Sequence, residues 1–64
     1  MYRIDVIYPD RAEARERFHV ARASEILTAV SRLLAVHQGC DRLVVWVGAT
    51  RLFAVDSKGN RLDD

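Results

Sequence analysis

The residues that invite a chemical reading first are His37, Cys40 and Asp41, in the run His37-Gln38-Gly39-Cys40-Asp41. A thiol three positions from an imidazole suggests a metal site or a cysteine nucleophile with its base. Zinc takes about four ligands, and structural sites draw them from paired motifs. The only other histidine is His19, in a different segment. A catalytic thiolate also needs a base held in geometry and an oxyanion site, and no glycine-rich elbow is present. His37 is therefore read as closing the apolar stripe of a helix near its C-terminus, with Cys40 as a small buried residue in the following turn. Gly39, Gly48 and Gly59 are isolated, and none opens a helix after a strand as a phosphate loop does. No catalytic residue, metal or cofactor is expected, and the chain reads as a non-enzyme.

The arginines carry more information. Of ten basic side chains nine are Arg, the exception being Lys58. A GC-rich coding bias accounts for much of this. Arg also makes planar, two-pronged contacts to carboxylate and phosphate. Arg3, Arg15, Arg17 and Arg22 gather on the N-terminal hairpin and its exit, interleaved with Asp5, Asp10, Glu13 and Glu16, which can pair with them. Five aromatic residues, Tyr2, Tyr8, Phe18, Trp46 and Phe53, raise the question of a base-stacking platform. RNA-recognition sheets of that kind carry a basic-aromatic signature and a second helix. Neither is found, and a net charge of +1 gives little attraction to phosphate.

Period-two alternation places a strand over Tyr2 to Tyr8, ended by Pro9-Asp10. A second alternating run spans Arg15 to Val20, with Phe18 and Val20 on one face and Arg15, Arg17 and His19 on the other. The two form a hairpin; a short helical turn over Ala12 to Arg17 is the alternative. Ser24 to Gln38 is a helix, with Ile26, Leu27, Val30, Leu33, Leu34 and His37 on one stripe. Ser24 suits the N-cap, and Gly39 suits the left-handed position that ends many helices. Leu43 to Val47 is apolar on both faces and reads as a central strand. Leu52 to Asp56 follows after the turn Gly48-Ala49-Thr50. Asp56 to Asn60 is a second turn, and Arg61-Leu62 a strand stub before the acidic end Asp63-Asp64. The expected fold is α+β: an antiparallel sheet of four to five strands with one helix packed on one face, in the order ββαββ.

At 64 residues, half of them apolar and with a single Cys, the chain is read as one domain over 1–64 without disulfides. Its longest apolar run, Leu43 to Val47, is far too short to span a membrane, and the N-terminus lacks the apolar stretch of a signal peptide. A cytoplasmic location follows as the expectation. Folding buries about 6,400 Å2 of surface. If about 60% of it is apolar, this contributes roughly 96 kcal/mol, and ordering the chain costs about the same. So small a domain gains from association. One helix covers one face of the sheet, so bulky apolar groups of the central strands, from either Leu43/Val45/Val47 or Val44/Trp46, must lie on the other. An apolar patch edged by arginines has the composition of a protein interface. The expected contact residues are Arg3, Arg15, Arg17, His19, Arg22, Trp46 and Lys58, with a protein or ribonucleoprotein partner. Homodimerisation is an alternative, and a small dimeric nucleic-acid-binding or regulatory protein is the competing function.

The hairpin Tyr2-Tyr8/Arg15-Val20, the exit Ala21-Arg22-Ala23-Ser24, the single helix, Gln38-Gly39-Cys40 and the closing run from Arg51 to Arg61 together resemble small phage-encoded anti-CRISPR proteins. The order is similar to that of ββαββ inhibitors of type I CRISPR surveillance complexes. The similarity spans nearly the whole chain, although this sequence has fewer lysines and a shorter Gly48-Ala49-Thr50 turn. It implies a stoichiometric blocker, acting in the host bacterial cytoplasm, that occupies the guide-RNA-bearing backbone and keeps target DNA from pairing. It also implies that Arg3, Arg15, Arg17, Arg22 and Lys58 make the contacts.

Overall fold

The computed structural model describes residues 1–62, so the acidic end Asp63-Asp64 lies outside the described residues. Five strands, β1 (Tyr2–Ile7), β2 (Glu16–Val20), β3 (Arg42–Val47), β4 (Thr50–Asp56) and β5 (Arg61–Leu62), form one antiparallel sheet in the order β2-β1-β3-β4-β5. One helix, α1 (Ile26–Val36), packs on one face, an α+β architecture as expected. The segment Ala12 to Arg17 is not helical, and β2 begins inside it at Glu16.

Sequence parity decides what meets the helix. Cross-strand partners share a face of the sheet. Ile4 pairs with Phe18 on one side and Val45 on the other, and Val45 pairs in turn with Phe53. That row, and its neighbour through Val6, Leu43 and Val55, faces α1. Ile4, Val6, Leu43 and Val45 have no exposed surface, which makes β1 and β3 the centre of the core. The helix contributes Ile26, Ala29, Val30 and Leu33, flanked by half-buried Leu34. Leu27, expected on this stripe, instead stands 74% exposed, because the buried arc follows the 26/29/30/33 spacing.

Both expected helix signals work differently from the sequence reading. A 3₁₀ turn over Ala23–Glu25 precedes α1, and no side chain caps either start. Ser24 sits inside that turn, so it is not the N-cap. At the other end His37 N–H closes on the Leu33 carbonyl (2.8 Å), and Cys40 N–H on the His37 carbonyl (3.0 Å). Gly39 is not left-handed; among the described residues positive φ occurs only at Gly48 and Gly59. Gly48 (φ +57°) opens a two-residue hairpin loop between Val47 and Thr50. With no positive φ at Ala49, this matches a type II′ turn, whose twist suits antiparallel strands. Asp56 organises the β4–β5 turn: its Oδ1 accepts from the backbone N–H of Lys58 and of Asn60, each at 2.9 Å. Those bonds, the one from Asn60 first, hold its carboxyl below the usual carboxylate range.

Candidate functional site

The face away from the helix is built from the opposite parity. One row runs across four strands as His19, Arg3, Trp46 and Arg51. The next runs Arg17, Asp5, Val44, Ala54 and Leu62, and a third holds Ile7, Arg42 and Asp56. Trp46 is therefore on the open face, and β3 presents Val44 and Trp46 outward while Leu43, Val45 and Val47 point to the helix. The parity that composition left undecided is settled by the zero exposure of Leu43 and Val45. Ala54 has no exposed surface although it does not belong to the core under α1. Val44 and Leu62, its neighbours across the sheet, shield it on the open side.

Charge on this face is organised around one carboxylate. Asp5 is only 8% exposed and receives two bonds from Arg3, Nε to Oδ1 at 2.9 Å and Nη2 to Oδ2 at 3.3 Å. Arg17 reaches Oδ1 at 3.9 Å from the neighbouring strand. The same Arg3 guanidinium lies 5.4 Å from the centre of the Trp46 ring, an attractive cation–π placement. The indole N–H of Trp46 is itself buried and has no hydrogen-bond partner. An unpaired buried donor costs about 1–3 kcal/mol, so this atom is a site of unspent hydrogen-bonding capacity.

Of the seven expected contact residues, the sheet brings Arg3, Arg17, His19 and Trp46 together. The other three lie elsewhere. Arg15 stacks its guanidinium 4.6 Å above the Tyr8 ring at the end of the hairpin. Arg22 stands between β2 and the 3₁₀ turn, and Lys58 lies in the β4–β5 turn at the opposite edge of the sheet. The aromatic residues do not form a platform: Tyr2, Phe18 and Phe53 lie on helix-side rows, and Tyr8 packs against the core, leaving Trp46 on the open face.

His37 and Cys40 diverge. Cys40 is buried in the core, where burial first and nearby Asp41 second push its thiol up. His37 instead joins a network built from distant parts of the chain. Its Nδ1 meets the Tyr8 hydroxyl at 3.0 Å, and its Nε2 meets Glu16 Oε1 at 3.1 Å. Carboxylate, imidazole and phenol thus clip the end of α1 to both strands of the hairpin. The residues are 21 and 29 positions from His37, a separation no local pattern reveals. Among the described residues no three His, Cys, Asp or Glu side chains gather into a metal site, and no helix is long and apolar enough to cross a membrane.

A second feature lies on the helix side. Between α1 and β2 runs a groove of about 670 Å3, walled by Phe18, Val20, Ala29, Leu33 and Val36. Phe18 is 43% and Val36 76% exposed, so the helix leaves this flank of its own face uncovered. The architecture and both surfaces stand on their own chemistry: no protein-family model, no curated protein and no solved structure matches this chain.

Proposed function

We propose that this protein is a non-enzymatic binding protein that docks on a protein partner through the open face of its sheet. The row His19–Arg3–Trp46–Arg51 beside the apolar seam Val44–Ala54–Leu62 carries this reading. Arg, Trp and a partly covered apolar strip are the elements that dominate binding energy at protein interfaces. The partner's complementary groups are carboxylates. One approaching Arg3 competes with Asp5 for the guanidinium, and the cation–π contact of Arg3 with Trp46 draws the indole into the same interface.

The sequence resemblance supplies a definite candidate, a type I CRISPR surveillance complex, with the protein acting as a stoichiometric block to target DNA pairing. Purified guide-loaded complex titrated with the protein should lose target binding at about one equivalent per site. Arg17→Glu and Trp46→Ala should each weaken the block at least tenfold. Unchanged target binding at saturating protein, or full potency of both variants, would refute the reading. Steep salt-dependent binding of the protein to free duplex would favour the competing nucleic-acid function instead.

A further inference from the structure

We infer that the free edge of β2 is a self-association surface on which a second copy pairs antiparallel, joining two five-stranded sheets about a two-fold axis. β2 is the terminal strand of the sheet, and alternate residues of a terminal strand direct N–H and C=O groups outward with no partner. On the opposite side β5 has two residues and covers only Ala54 and Val55. The stretch of β4 beyond it is bulged against β3 at Val45/Trp46, which twists that edge away from regular pairing. β2 carries no bulge, Pro or Gly, and the groove lined by Phe18 and Val36, with Glu25 and Arg32 among its polar residues, lies directly beside it.

Charge complementarity selects the occupant and the register. An antiparallel pair of identical strands is defined by the residue on the axis. With His19 there, Phe18 of each copy faces Val20 of the other, Arg17 faces Ala21, and Glu16 faces Arg22. This register joins apolar to apolar and acid to base, each twice. Arg22 still has extended backbone (φ −126°, ψ 141°), and Glu16 uses only Oε1 on His37, leaving Oε2 for the incoming guanidinium. With Arg17 on the axis, guanidinium meets guanidinium. With Phe18 on the axis, each Glu16 carboxylate is set against Val20. An axis between residues is not allowed, because directly opposite residues share a face of the sheet and that offset would set helix-side Phe18 opposite Arg17 or His19 of the open face. A strand from another protein would have to match the alternation Glu-Arg-Phe-His-Val by coincidence; a second copy matches it by symmetry.

Sedimentation of the full chain across micromolar concentrations tests this, with circular dichroism confirming that each variant is folded. Wild type should run at twice the chain mass. Arg22→Glu should raise the dimer dissociation constant about tenfold or more by setting like charges opposite in both symmetric pairs. The double variant Glu16→Arg/Arg22→Glu should restore dimerisation toward wild type, and Phe18→Lys should abolish it. Trp46→Ala, on the open face, should leave it intact, so docking and self-association can fail separately. A monomer at every concentration, or a dimer indifferent to Arg22→Glu and Phe18→Lys, would overturn the inference.

Discussion

Replacing Asp5 by Ala removes the one carboxylate around which the open face is arranged. Its side chain is 11% exposed, while those of Arg3 and Arg17 are 35% and 56% exposed. A fully buried ion pair broken on one side costs about 3–5 kcal/mol, and a surface pair about 0–1 kcal/mol. Water reaches both guanidinium groups, so they keep solvation after the change, but the two-pronged bond at 2.9 and 3.3 Å is lost. Charge-assisted bonds of this kind contribute about 1.5–3 kcal/mol, which places the expected loss near 2 kcal/mol. For a domain this size 1 kcal/mol moves Tm by about 4–8 °C, so the midpoint should fall by roughly 8–16 °C. Thermal unfolding followed by circular dichroism measures it. The double variant Arg3→Met/Asp5→Ala should lose less than the sum of the singles, with a coupling of at least ~0.5 kcal/mol. A fall below about 3 °C, or additive singles, would refute the claim that Asp5 and Arg3 act as one unit.

Three further outcomes follow from the packing. Tyr8→Phe deletes the hydroxyl that meets His37 and should cost about 1 kcal/mol, with amide exchange rising first at the end of α1; uniform exchange across the chain would contradict a local clip. Burial raises the Cys40 thiol, so its contribution to stability is complete below the ordinary thiol range and is lost as pH climbs through the raised value. Urea midpoints should therefore decline faster above pH 9 in wild type than in Cys40→Ala, and a thiol reagent should label Cys40 only as the fold opens. A Cβ at Gly48 meets nothing within 4 Å, so Gly48→Ala should cost only the left-handed backbone penalty, about 1–2 kcal/mol. Gly48→Asn should cost about as much, because the first central position of a type II′ turn favours Gly specifically, and a markedly smaller loss would contradict that turn type.

Much of the fold is legible in short-range pattern. Alternation in Tyr2 to Tyr8 and in Phe18 to Val20 places their inward faces correctly, because a strand with one wet side must separate polar from apolar residues. Leu43 to Val47 shows why the rest is not legible: five consecutive apolar residues carry no parity, and only pairing with Ile4 and Val6 turns Leu43 and Val45 inward. Arg3, Arg17, His19 and Trp46 were nameable as contact types, but their assembly into adjacent rows depends on β1 lying between β2 and β3. Strand order is a long-range property that composition does not encode. Ser24 and Gly39 mislead for the opposite reason. Each suits a local cap, yet the 3₁₀ turn and the His37–Cys40 hydrogen bond supply other solutions. No local pattern carries the Tyr8–His37–Glu16 network, since its members meet only after α1 is laid along the hairpin.

Trp46 is the chain's single tryptophan and stands on the face proposed to dock, so its emission tests the central claim directly. Titrating the protein with a guide-loaded type I surveillance complex, its tryptophans replaced by a non-emitting analogue, should shift and saturate Trp46 emission at one equivalent per site, and Arg3→Glu should abolish the shift. Tight binding that leaves Trp46 emission unchanged, or the absence of any binding, would contradict the account.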